Sequence, residues 1–84
     1  MTRVFFITGC STGFGASLVQ MILDKGDIAV ATARQPTSLA FTATTPSNYL
    51  ALALDVTSPV SITAAFAAAL ARFHRIDVVV NNAG

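Results

Sequence analysis

Residues 8–15 read Thr8-Gly9-Cys10-Ser11-Thr12-Gly13-Phe14-Gly15, and they join two stretches of different period. Before them, residues 4–8 form a short apolar, β-branched-rich run that ends at Gly9, the pattern of a buried strand. After them, Leu18, Val19, Ile22 and Leu23 recur at helical spacing, with Ser17, Gln20 and Asp24 between them. The spacing predicts a helix over 13–25, stopped by Gly26, with Lys25 suited to the negative end of its dipole. Each glycine of the turn has a physical use. Gly9 permits a tight turn off the strand, Gly13 lets backbone approach a ligand with no Cβ in the way, and Gly15 lets the helix pack close to a sheet.

Outward from this unit the alternation continues. Residues 28–33 are almost wholly apolar, as in a strand covered on both faces. Residues 35–48 are rich in Thr, Ser and Pro and read as loop, with a helical turn expected at Leu39-Ala40-Phe41. A third strand is predicted over 49–54. Ser58 as N-cap with Pro59 at the first helical position opens a second helix, which runs to Phe73. Ile62, Phe66, Leu70 and Phe73 form its stripe, and the intervening alanines allow close packing. A fourth strand is predicted over 76–80. Strand and helix alternating in this way give an α/β fold: a Rossmann-type, doubly wound parallel sheet in three layers, order 3-2-1-4, broken off after the fourth strand.

Composition narrows the class. The chain has 84 residues, 54% hydrophobic and 11% charged, which excludes a disordered tail and allows one domain at most. A net charge of +1 gives no electrostatic footprint for nucleic acid. No apolar run reaches the roughly 18–20 residues of a membrane helix, and the N-terminal stretch is too short for a signal peptide, so a soluble cytoplasmic chain is expected. One cysteine, Cys10, and one histidine, His74, cannot make a disulfide or a zinc site, and no metal is expected. High hydrophobicity in so short a chain also implies that part of its core lies elsewhere, in a longer parent chain or a partner.

The first turn carries the ligand chemistry. A helix start offers unpaired N–H groups and a positive dipole end to a pyrophosphate, and Ser11 and Thr12 add hydroxyls. The Gly-Lys-Ser/Thr ending of a P-loop is missing. A glycine turn without a ligand is the bland alternative, but a strand before it and a helix after it are the context that a dinucleotide fingerprint requires. NAD-binding units place an Asp or Glu at the end of the second strand; here Ala31-Thr32-Ala33-Arg34 stands there. Arg34 can pair with a ribose 2′-phosphate through its planar fork, so NADP is expected over NAD.

Three marks together resemble the short-chain dehydrogenase/reductase family: residues 8–15 match its TGxxxGxG, Leu54-Asp55-Val56 follows the third strand, and Asn81-Asn82-Ala83-Gly84 matches its NNAG. The resemblance covers essentially the whole chain. It implies that Gly9, Ser11, Thr12, Gly13, Phe14 and Gly15 line the pyrophosphate side of the cofactor, that Arg34 sets the NADP preference, and that Asp55 and Val56 sit at the adenine. Asn82, Ala83 and Gly84 would lie along the ribose and support the fourth strand. Phe14 departs from the family's usual Ile or Leu, and residues 35–48 hold at most a stub of the expected helix. The family's catalytic Ser and Tyr-x-x-x-Lys fall in the second half of its fold. Tyr49, the one tyrosine, is followed four residues later by Ala53, so no catalytic residue is assigned within 1–84.

These residues are therefore read as a partial NAD(P)-binding domain of an oxidoreductase that transfers hydride between NADP(H) and a carbonyl or alcohol substrate, of a family whose members are often homo-oligomers. The alternative is a non-catalytic nucleotide-binding or interaction module. His74 reads as a dipole contact at a helix end, Cys10 as a loop residue, and Phe5, Phe6, Phe41, Phe66 and Phe73 as core. The fourth strand, left at an edge with Asp77 as its one charge, should make the 84-residue segment aggregation-prone and catalytically silent by itself.

Overall fold

A computed structural model describes residues 2–11 and 13–82. The elements run β1 (Val4–Ile7), α1 (Gly13–Asp24), β2 (Ile28–Ala33), a 3-10 turn at Pro36–Ser38, β3 (Tyr49–Ala53), α2 (Pro59–Phe73) and β4 (Val78–Val80). The strands form one parallel sheet in the order β3-β2-β1-β4. Val4 pairs with Ile28, Ala29 with Tyr49 and Phe5 with Val78.

Strand alternation sorts side chains onto two faces. On one, Ile7, Ala29, Ala31 and Cys10 pack with Val19, Ile22 and Leu23 of α1. On the other, Val4, Phe6, Val30 and Leu54 meet Ala65 and Ala69 of α2. The three-layer arrangement with a helix on each face is thus the one expected. The small alanines bring α2 close enough for Phe66 to stack on Phe6, ring centroids 4.2 Å apart. Leu70 departs from the expected stripe: it is exposed, and Ala69 takes the buried position beside it. Phe6 is buried as expected, whereas Phe5, Phe41, Phe66 and Phe73 are half-buried at the rims of the two cores.

Helix ends follow their residue chemistry. Gly26, at φ +85°, closes α1: its N–H bonds the Leu23 carbonyl and Asp27 N–H bonds that of Ile22, a Schellman pair. The helix stops at Asp24, so Lys25 lies just past its last turn. Ser58 caps α2 by accepting from Ser61 N–H at 3.2 Å, with Pro59 next.

Two further expectations shift. The helical turn falls at Pro36–Ser38 rather than at Leu39-Ala40-Phe41, because Pro36 fixes its φ and Ser38 Oγ bonds the Gln35 carbonyl at 2.8 Å. Leu39 and Phe41 pack against the α1-side core instead. The fourth strand is shorter than 76–80, because Val4 N–H turns from the ladder to the Asp77 carboxylate, 2.7 Å away. No helix among the described residues is long and apolar enough to cross a membrane.

Candidate functional site

Parallel strands deliver their following loops to one edge of the sheet, and the strand order reverses beside β1. A pocket of about 380 Å³ lies on that edge, lined by Gly9 and Ser11 after β1, by Thr32, Ala33, Arg34, Gln35 and Ser38 at and after the end of β2, and by Leu54 and Val56 after β3. Its size is within the ~300–1,000 Å³ of small-molecule sites.

Turn geometry explains the floor. Gly9 takes φ +66° and Gly13 φ +62°, a region that L side chains avoid. Gly13 has no heavy atom within 4 Å of where a Cβ would stand, so backbone is bare to approach there. Gly15 is the reverse: a Cβ would fall on the Gly9 carbonyl and 2.6 Å from Asn82 Nδ2. No acidic residue stands in the first turn of α1 to compete with an anion for the helix start.

The turn is tied down from both sides. Cys10 N–H bonds the Thr32 carbonyl at 3.0 Å, and Thr32 Oγ1 donates to Ile7 O at 2.8 Å. From the β4 side, Asn82 Nδ2 donates to Gly9 O at 3.1 Å and Asn82 N–H donates to Thr8 Oγ1 at 2.9 Å. Thr32 and Thr8 were not singled out as site residues from sequence. Their signal was a polar residue in an apolar strand, which must find a partner once buried. Gln35 and Ser38 gave no signal within a Thr/Ser/Pro-rich loop. Cys10 is buried and donates to Ile7 O; burial pushes its thiol up, away from the reactive thiolate.

Arg34 leaves β2 at the pocket wall, and its guanidinium lies 3.7 Å from Asp55 Oδ1, both side chains exposed. Asp55 Oδ1 also accepts from Thr57 Oγ1 at 2.6 Å and Thr57 N–H at 2.9 Å. These bonds, and secondarily the Arg34 charge, hold its carboxyl below the ordinary carboxylate range. Phe14 is 66% exposed on the first turn of α1. Thr12, Ala83 and Gly84 lie outside the described residues. Tyr49 opens β3 at the far edge of the sheet from the pocket, with its ring edge-on to Phe41, and burial pushes its hydroxyl up. His74 ends α2 with φ +68° and its N–H on Leu70 O.

The family model for short chain dehydrogenases matches residues 3–84, and the chain belongs to that family. It is 46% identical over 84 residues to the oxidoreductase calM of Penicillium decumbens, covering 95% of this chain and 28% of that protein. The structure of a short-chain dehydrogenase from Streptomyces avermitilis matches with a TM-score of 0.89 at 38% identity, over 100% of this chain and 31% of the other. The 3-ketoacyl-(acyl-carrier-protein) reductase of Brucella melitensis, solved with NADH, matches with a TM-score of 0.84 at 32% identity, over 98% of this chain and 34% of the other. The chain spans about a third of the length of these relatives.

Proposed function

We propose that residues 1–84 are the dinucleotide-binding portion of an NADP-dependent oxidoreductase acting between a carbonyl and an alcohol. The observation that carries this is the pocket at the carboxyl ends of the strands, where the glycine turn that leads into α1 and an arginine line one cavity. The residues fit the group. Gly9 and Gly13 supply backbone that can approach a pyrophosphate, Gly15 keeps the helix start against the sheet, and Ser11 and Thr12 add hydroxyls. Arg34 is the cation for a 2′-phosphate, and Asp55 and Val56 form the adenine side. Asn82 holds the first turn, and the ribose side is assigned to it with Ala83 and Gly84 on the family resemblance. Phe14, on the exposed first turn, flanks the nicotinamide-side ribose.

The cofactor supplies hydride transfer when bound. What these residues do is bind and orient it. The general acid that such a reaction needs is assigned to sequence outside these 84 residues. The Brucella relative was solved with NADH, so the NADP preference rests on Arg34 and on the lack of a carboxylate at the end of β2. A charge-assisted bond to the 2′-phosphate favours NADP by about 1–3 kcal/mol. Arg34→Asp should invert the NADPH/NADH affinity ratio. An unchanged ratio would make Arg34 a bystander.

A further inference from the structure

Arg34 and Asp55 come from the ends of adjacent strands, and the resemblance gave them separate roles, one at a phosphate and one at a base. The structure pairs them with each other. Resting on the function proposed above, we propose that Asp55 competes with a 2′-phosphate for Arg34, and so limits how strongly the site discriminates NADP from NAD.

Asp55 is the fixed member of the pair. Its Oδ1 is held by two bonds from Thr57, and its backbone N–H donates to Ser61 Oγ on the first turn of α2 at 2.9 Å. Arg34 is the movable member: its side chain is 73% exposed and lies 3.7 Å from the carboxylate, outside hydrogen-bond range. Such a contact draws the guanidinium toward Asp55 without fixing its fork for a ligand. Preorganisation, which would favour the phosphate, is therefore small. Two effects, both unfavourable to the phosphate, remain. The arginine must leave or share its carboxylate to meet a phosphate, and the carboxylate then repels that phosphate across a few ångströms. Both have the same sign, so Asp55 weakens 2′-phosphate binding. An exposed ion pair limits the effect to roughly two- to fivefold.

The ratio of affinities for adenosine 2′,5′-bisphosphate and 5′-AMP, measured by calorimetry on the full chain, isolates this effect. Direct contacts of Asp55 with the shared adenosine cancel in the ratio. Asp55→Asn should raise the ratio about two- to fivefold, as should Asp55→Ser, which keeps an acceptor for the Thr57 turn without the charge. Asp55→Glu, which restores the charge, should bring the ratio back toward the starting value. In an Arg34→Ala background the effect of Asp55→Asn should fall by more than half. A ratio that is unchanged or lowered in the neutral variants, or a rise that persists in full without Arg34, would overturn the competition. Failure of both ligands to bind the unmodified chain would overturn the proposed function itself. Binding of both with a ratio insensitive to Asp55 would sink only the present inference.

Discussion

The two helices of this chain leave the same edge of the same sheet, yet they begin and end on opposite kinds of residue. α2 is closed by its own side chains: Ser58 caps its first turn, Ser61 Oγ takes the Asp55 N–H, and Asp55 gathers Thr57. α1 begins among glycines, with open space at Gly13 and no carboxylate in its first turn. A helix start satisfied from within has little left for a ligand. One built on glycine leaves its backbone donors and the positive end of its dipole open to a ligand. The difference is what the proposed anion site at α1 rests on, and it follows from the residue chemistry of two short turns.

The strongest way to break this contrast is at Gly15. Gly15→Val puts side-chain atoms into the Gly9 carbonyl and Asn82. It should cost about 3 kcal/mol, the upper range for overpacking, and remove NADPH binding with it. Denaturant unfolding and a fluorescence titration of NADPH check both halves. A stable variant with full affinity would mean that the turn need not pack so closely.

The same logic at α2 gives a smaller effect of a different kind. Ser58→Ala removes a cap and should cost about 1 kcal/mol of stability, with NADPH affinity changed less than twofold, a bound of about 0.4 kcal/mol by the usual affinity arithmetic. A large loss of affinity would show that the second turn also serves the ligand.

The far ends of the helices extend the comparison. α1 closes on Gly26 at φ +85°, whereas α2 closes on His74 at φ +68°, a conformation that strains a residue with a Cβ. Gly26→Ala should destabilise by about 1 kcal/mol, and His74→Gly should stabilise by about 0.5–1 kcal/mol. Thermal unfolding of the two variants should shift in opposite directions; shifts of the same sign would refute the assignment.

The smallest effect is electrostatic. Arg75 first, then the Val4 N–H, hold the Asp77 carboxyl below its ordinary value. A carboxyl lowered in the folded state stabilises above its unfolded pKa and loses that contribution as pH falls through its folded one. Asp77→Asn should therefore be less stable than the unmodified chain near neutrality, and the gap should close as acid protonates the carboxyl. A gap that stays constant into acid would contradict the linkage.

Much of this was legible in the sequence because period and punctuation agreed. The alternation of apolar strands with helical stripes gave the element order, and Gly9, Gly26 and Ser58-Pro59 marked ends where the chain turns. What escaped depended on neighbours distant in sequence. Thr32 anchors the glycine turn only because β2 lies beside β1. Asp77 reads as a lone charge guarding an edge, but it is turned to Val4 and Arg75, which shortens the strand it was to protect. Arg34 and Asp55 were each singled out from sequence, and their mutual contact was not, because it requires the ends of β2 and β3 to be side by side. Leu70 missed the core because the sheet accepts the smaller Ala69 there.

The central claim is that the open turn of α1, with Arg34, is the nucleotide face. Amide chemical-shift mapping of a nitrogen-15-labelled chain during titration with NADPH tests it most directly. Saturable shifts should be largest at Gly9, Ser11, Gly15, Arg34 and Val56, and small at Arg3, Asp27 and Asp77 on the opposite edge of the sheet. Shifts centred on that opposite edge, or no saturable shift at all, would contradict the claim.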